Sequence, residues 1–362
     1  MSPVMFTADW LQQALTPSRT KYGWGNVEAV SSNQIGTGQM GSNVRLALTW
    51  SPDGDASTAP PATMVAKLPA EDEKSRATGA ARGAYLREVS FYQQLAPRLQ
   101  IRVPQCYFAD YSHDDANFVL LLEDMHPATQ GDQIAGADSD LASAVLVEAA
   151  GLHSPLWGND EIHQYTFFGP PTAESAKETA AIYQHFLAEF LERHEGLLSS
   201  EVVEIAERFT PLVAAWAAPV PAEQLTVVHG DFRLDNMLFS PVAGERPTVV
   251  DWQTVTMGLG VRDVAYYLSA GLSRHDRGQH EADLVREYWE RLVSAGVKGY
   301  DQSQCWTDYR RSAVAGLFMA VIASGLVVQT ERGDEMFRVM ANGAAYAAIE
   351  LETLDLLAQH RP

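Results

Sequence analysis

The chain has 362 residues, 46% of them apolar, and carries 26 Lys and Arg against 46 Asp and Glu for a formal net charge of −20. That length suits two lobes rather than one small domain, and the acidity opposes nucleic acid or anionic membranes as partners. Two cysteines, Cys106 and Cys305, are too few for a disulfide framework, and the first residues carry neither a basic start nor a sustained apolar run, so a cytoplasmic setting is expected.

The first patterned stretch alternates through Val27, Ala29, Val30 and Ile35 into Gly36-Thr37-Gly38-Gln39-Met40-Gly41-Ser42-Asn43-Val44, a G-x-G-x-x-G-x-V segment, and continues with Leu46, Leu48 and Trp50. Glycines let a backbone approach phosphates and present amide donors to them. A dinucleotide-binding turn would need a helix directly after the glycines. Strand periodicity and then a turn-rich Ser51-Pro52-Asp53-Gly54-Asp55 follow instead, which predicts a hairpin. Met64-Val65-Ala66-Lys67-Leu68 is a short apolar strand with one embedded lysine, whose amine either reaches the surface or has an anionic partner. Tyr85, Val89, Tyr92 and Leu95 then recur at helical spacing with Glu88 beside the stripe. Glu88 is within reach of Lys67, or of Arg82 and Arg87 on its own helix. Phe118 to Leu122 is a continuous apolar strand that ends in Glu123-Asp124-Met125.

His126, Pro127, Gly131 and Gly136 break regular structure and mark the expected lobe boundary, giving domains 1–125 and 126–362. Residues up to 125 hold 10 basic against 13 acidic side chains and the remainder 16 against 33, so the second lobe is the acidic one. Such a field favours a cationic substrate, and it equally serves solubility. Helical patterns dominate beyond the boundary. Leu141 to Leu152 leads to His153, expected as a helix-end histidine satisfied by backbone. Ser154 to Pro171 concentrates Trp157, Tyr165, Phe167 and Phe168, which either line an acceptor pocket or pack the loop on its lobe. Further helices are predicted over Ala173 to Leu198, Val261 to Leu268, Leu284 to Leu292 and Asp334 to Leu357. Ala313 to Val328 is apolar but too short to span a bilayer and is expected as a core helix.

Between these helices, Leu225 to Val228 and Met237 to Phe239 flank His229-Gly230-Asp231-x-x-x-x-Asn236, and Val249-Val250 leads into Asp251. Three oxygen-bearing side chains are thereby presented from loops anchored by buried strands. Phosphoryl transfer needs such a set, with a carboxylate to orient a hydroxyl and hard oxygen ligands for Mg²⁺.

The His-Gly-Asp-x-x-x-x-Asn pattern with a strand-borne aspartate resembles the aminoglycoside phosphotransferase and choline kinase superfamily of protein-kinase-like enzymes, with Gly230 where protein kinases have Arg. Asp251-Trp252-Gln253, in place of Asp-Phe-Gly, is similar to the ecdysteroid-kinase-like branch. The resemblance implies an α+β, two-lobe fold, with an antiparallel sheet plus helix in the ATP-binding lobe and a mostly helical catalytic and acceptor-binding lobe. It implies Asp231 as catalytic base and Asn236 and Asp251 as Mg²⁺ ligands. It further implies that Gly36, Gly38, Gly41, Lys67 and Glu88 serve the ATP phosphates and that backbone groups around Glu123 and Met125 serve the adenine edge. Asp263 matches the aspartate that braces the catalytic loop through backbone amides, and His229 is expected to support that loop. The function implied is transfer of the γ-phosphate of ATP to a hydroxyl of a small molecule. A nucleotide-binding pseudokinase is the alternative, and a protein kinase a third, which Gly230 and Trp252-Gln253 disfavour. The acceptor and the oligomeric state are not legible, and the fold alone does not imply antibiotic resistance.

Overall fold

A computed structural model describes residues 6–36, 41–52, 54–55, 58–169 and 171–359. The chain forms two compact units, the first built from residues up to Leu95 together with Val103–His126, the second from Ala96–Arg102 and everything from Pro127 onward.

The first unit opens with two short helices, α1 (Ala8–Ala14) and α2 (Thr16–Tyr22), which no sequence pattern announced. Strands β1 (Val27–Ile35), β2 (Gly41–Trp50) and β3 (Thr63–Pro69) follow, then helices α3 (Glu73–Ala81) and α4 (Ala84–Ser90), and strands β4 (Cys106–Tyr111) and β5 (Phe118–Glu123). The strands make one antiparallel sheet in the order β1-β2-β3-β5-β4. Leu11 and Leu15 cover one face of it, packing with Leu46, Met64, Val119 and Leu121. Tyr85 of α4 stacks its ring 4.8 Å from that of Phe118. β5 is buried along its whole apolar run because elements cover both of its faces. The helix predicted from Ala84 to Leu95 runs regularly only to Ser90; Phe91–Leu95 continue it as a π-helical turn.

In the second unit a short strand β6 (Thr129–Gln130) precedes helices α5 (Ser139–His153), α6 (Ala173–Arg193), α7 (Ser200–Phe209) and α8 (Val213–Trp216). Four short strands come next, β7 (Leu225–Val228), β8 (Met237–Phe239), β9 (Thr248–Val249) and β10 (Thr256–Leu259). Helices α9 (Val261–Gly271), α10 (Arg274–Ser294), α11 (Gln302–Ser312), α12 (Ala315–Leu326), α13 (Glu331–Glu350) and α14 (Thr353–Gln359) complete it. The apolar stretch around α12 lies in the core with α6, α9 and α13, as Leu317, Ala320 and Val321 are buried against Tyr183, Tyr266 and Met340. No described helix is long and apolar enough to cross a membrane. The helical region expected from Asp334 to Leu357 is divided between α13 and α14, because Glu352 takes a left-handed φ of 54° between them.

Segment Ala96–Arg102 is tied into the second unit by backbone bonds. Gln100 N donates to Gly151 O at 3.0 Å and Val249 N to Arg102 O at 2.9 Å. Buried Glu148 of α5 completes the tie, accepting from Arg102 N at 2.6 Å and from the Arg246 guanidinium.

Candidate active site

In the first unit, Lys67 sits mid-strand in β3 with its side chain almost wholly buried, and its Nζ lies 2.6 Å from Glu88 Oε1 of α4. Of the two pairings open to Glu88, the one with Lys67 forms. The strand register sets Lys67 opposite Asn43 of β2 and Leu120 of β5, so it stands at the centre of the sheet, where sliding is disfavoured. Gly36 follows β1 at φ +70°, with open space where a Cβ would stand, so its backbone conformation rather than crowding calls for glycine. Gly41 is buried at the start of β2, opposite Pro69. Gly38 lies outside the described residues.

At the end of β5, Glu123 N donates to Gln105 O at 2.8 Å, and the exposed Glu123 side chain accepts from Gln105 N. Asp124 forms a two-pronged pair with Arg45 at 2.7 and 3.0 Å. Burial works against its charge, yet the bonds from Arg45, Thr63 and His126 hold its carboxyl below the usual range.

In the second unit the segment between β7 and β8 is fixed from several sides. Helix α9 points Asp263 at it: His229 N donates to Oδ2 at 2.6 Å and Gly230 N to Oδ1 at 3.1 Å. Gly230 has φ +80°, and a Cβ there would stand 2.8 Å from Thr254 O, so any side chain at this position meets both strain and backbone. His229 supports the loop as expected, with Nε2 3.0 Å from Val250 O and Nδ1 accepting from Asp231 N at 3.2 Å. Its ring packs on buried Trp252, centroids 4.6 Å apart. His153 departs from expectation. Its partners are side chains rather than backbone, Tyr288 Oη at 2.8 Å and Asp263 Oδ2 at 3.3 Å.

Asp231 is partly exposed and accepts three donors. Tyr266 Oη reaches Oδ1 at 2.8 Å, Asn236 Nδ2 reaches Oδ2 at 2.8 Å, and Arg233 Nε bridges both oxygens at 3.1 and 3.2 Å. Burial opposes ionisation, but Arg233, His229, Tyr266 and Asn236 together hold the carboxyl below its ordinary value. Burial and the neighbouring carboxylate push the Tyr266 hydroxyl well up, so it stays a donor. Arg233 is tethered at its other end by Asp235, 3.0 Å away, and Asp235 in turn accepts from Arg332 of α13 at 2.9 Å. Sequence reading missed Tyr266, although its place three residues after Asp263 puts both on one helix face.

Asn236 donates through Nδ2 to both the backbone and the side chain of Asp231, which leaves its Oδ1 as the atom for a cation. Asp251 takes a left-handed conformation, φ 66° and ψ 68°, ahead of the turn Trp252–Thr254. A non-glycine residue held there is strained, and such strain concentrates at functional positions. Asn236 N donates to Arg233 O at 2.9 Å within the loop, and Val250 N donates to Asn236 O at 2.9 Å, joining the loop to the segment that bears Asp251. Among the described residues no group of three or more His, Cys, Asp or Glu could hold a metal. A Mg²⁺ ion commonly takes only one or two protein oxygens, because it keeps several waters and binds substrate phosphates.

A model of the ecdysteroid kinase-like family matches residues 40–298. The chain belongs to that family. As a member of the ecdysteroid kinase-like family it carries the fold of small-molecule kinases. Choline kinase from Cryptosporidium parvum superposes with a TM-score of 0.59 at 10% identity, covering 97% of this chain and 96% of that one. The GDP complex of aminoglycoside 2′-phosphotransferase-IIIa superposes with a TM-score of 0.50 at 14% identity, covering 92% and 99%. Mouse acyl-CoA dehydrogenase family member 10 is 50% identical over 119 residues, which are 30% of this chain and 11% of that protein. The match thus spans about a tenth of that curated relative's length.

The aromatic segment after α5 packs on itself and its surroundings in this family member. Trp157 meets Tyr300 with centroids 4.8 Å apart, Phe167 meets Phe168 at 4.5 Å, and Tyr165 and Phe168 are buried. Packing accounts for Tyr165 and Phe168, whereas Trp157 and Phe167 stay partly exposed.

Proposed function

We propose that this protein transfers the γ-phosphate of ATP to a hydroxyl of a small molecule, in a Mg²⁺-dependent reaction with Asp231 as the catalytic base. The observation that carries the reading is the Asp231 carboxylate, ionised and oriented by Tyr266, Arg233 and Asn236. An acceptor hydroxyl donates its hydrogen bond to that carboxylate and gives up its proton there as oxygen attacks phosphorus in line with the leaving ADP. Lys67, fixed by Glu88, would neutralise the α- and β-phosphates, and the backbone of the Gly36–Gly41 segment would donate to phosphate oxygens. Asn236 and Asp251 would hold Mg²⁺, which when bound offsets charge on the phosphates. Because the Glu123 N–H is already taken by Gln105 O, an adenine contact in this segment falls to other backbone groups, such as those of Met125.

The family membership and the kinase fold support a small-molecule acceptor. The test is to incubate the protein with MgATP and a panel of aminoglycosides, choline-like amines, sugars, sterols and other alcohols, then to weigh the acceptors by mass spectrometry. A phosphorylated alcohol is expected. Phosphate found only on polypeptide, or on no acceptor while MgATP binds saturably, would move the assignment to a protein kinase or to a nucleotide-binding regulator.

A further inference from the structure

The loop bearing Asp231 is held by two residues of one helix. Asp263 takes the His229 and Gly230 amides, and Tyr266, one turn further along α9, reaches the Asp231 side chain itself. The Tyr266 ring is buried in the core of the second unit with Val314, Leu317 and Met340, so its hydroxyl is presented by a side chain with only two torsions, both fixed by packing. Arg233, the other donor to Oδ1, is a loop residue on a long stem whose position depends on Asp235 and, through it, on Arg332 of α13. A carboxylate turns easily about its last torsion, which is broad and two-fold. Three donors from three directions remove that freedom, and the one mounted on a rigid helix sets the plane.

Resting on the assignment of Asp231 as base, we infer that Tyr266 is the positioning residue of this reaction. Its hydroxyl fixes the plane of the Asp231 carboxylate against the pull of Arg233, so that a lone pair stays aimed at the acceptor hydroxyl. Tyr266 neither takes the proton nor touches the acceptor. Removing its hydroxyl leaves Oδ1 to Arg233 alone while Asn236 still holds Oδ2, and the carboxylate turns about its last torsion toward those two loop donors.

The experiment compares Tyr266→Phe, Asp231→Asn and the double variant by ADP formation from MgATP, with water as the acceptor probe. Tyr266→Phe should lower kcat by ~10- to 100-fold, the scale expected of a misaimed catalytic group, with KM for MgATP and the melting temperature nearly unchanged. In the Asp231→Asn background the same substitution should remove no further rate. Wild-type kcat in Tyr266→Phe beside a silent Asp231→Asn overturns the positioning role and leaves the base assignment standing. An equal loss in both backgrounds also overturns it, because the hydroxyl then acts elsewhere. Full rate in Asp231→Asn overturns the base assignment and this inference with it. A crystal structure of Tyr266→Phe decides independently of turnover: a rotated Asp231 carboxylate supports the role, and one left in its present plane refutes it.

Discussion

Asp231 combines two properties that ordinarily compete, since a carboxylate set among partly buried groups tends to protonate and a carboxylate crowded by donors tends to be too weak a base to hold a proton for long. In the proposed phosphoryl transfer the two would not conflict, because the acceptor proton leaves late and the group would serve first to orient the hydroxyl. Asp231→Asn keeps the size of the side chain but replaces one accepting oxygen by an NH2 donor, so it loses acceptor capacity at that position and cannot take the proton. It should lower turnover by ~10²–10⁴-fold, read as steady-state kcat, with little change in nucleotide affinity. Gly230 is a residue-scale constraint of another kind. Gly230→Ala adds a Cβ at a left-handed φ of 80° and 2.8 Å from Thr254 O, so it should cost ~1–3 kcal/mol in denaturant unfolding and shift the loop. Full stability with full activity would refute that reading of the position. The glycine was legible in the sequence only as a departure from the protein-kinase pattern, whereas its cause, a carbonyl twenty-four residues away in the chain, became visible only in three dimensions.

Helix α9 and strand β3 hold the site's side chains at fixed places in their own units. α9 carries Asp263 and Tyr266 on one face, and β3 carries Lys67 in a register shared with β2 and β5. Asp263→Ala would leave the buried amide of His229 and the partly buried amide of Gly230 without their acceptor and would take a partner from His153. Each orphaned group costs ~1–3 kcal/mol, so a stability loss of several kcal/mol is expected in chemical denaturation, together with loss of turnover. A loss under ~1 kcal/mol would mean that the loop is held by other contacts. Elements with strong periodicity were readable from the sequence, including β1 to β3, α5 and the core helix α12, because burial of one face writes itself into residue spacing. The π-helical turn at Phe91–Leu95 and the break at Glu352 were not, since each rests on local backbone geometry that leaves the apolar spacing intact. Helices α1 and α2 escaped notice because seven residues apiece give too few turns for a stripe to register.

For the molecule as a whole, the net charge of −20 is an acidic excess, and individual carboxylates within it are stabilised by arginine partners. Asp124 in the first unit, paired with Arg45, and Glu350 in the second, paired with Arg274 and Arg277, are both held below the usual carboxylate range by those arginines against the opposing effect of burial. Each therefore binds a proton less readily folded than unfolded. The stability they contribute is present above about pH 4 and is lost as pH falls through the depressed folded values. Asp124→Asn should accordingly lower the melting temperature at pH 7, with the gap to wild type closing toward pH 3; a gap that stays constant across that range would contradict the pairing. Acidity was legible in the sequence, and so was the proposed catalytic set, since Asp231, Asn236 and Asp251 occupy one short stretch. The network that orients Asp231 was not, because Tyr266 and Arg332 come from helices distant in sequence. The most direct test of the account is the rate of phosphoryl transfer from MgATP to an acceptor alcohol, measured for wild type and Asp231→Asn at matched nucleotide occupancy. The account predicts acceptor-dependent ADP formation in wild type and its near-complete loss in the variant despite retained MgATP binding; equal rates in the two proteins would contradict it.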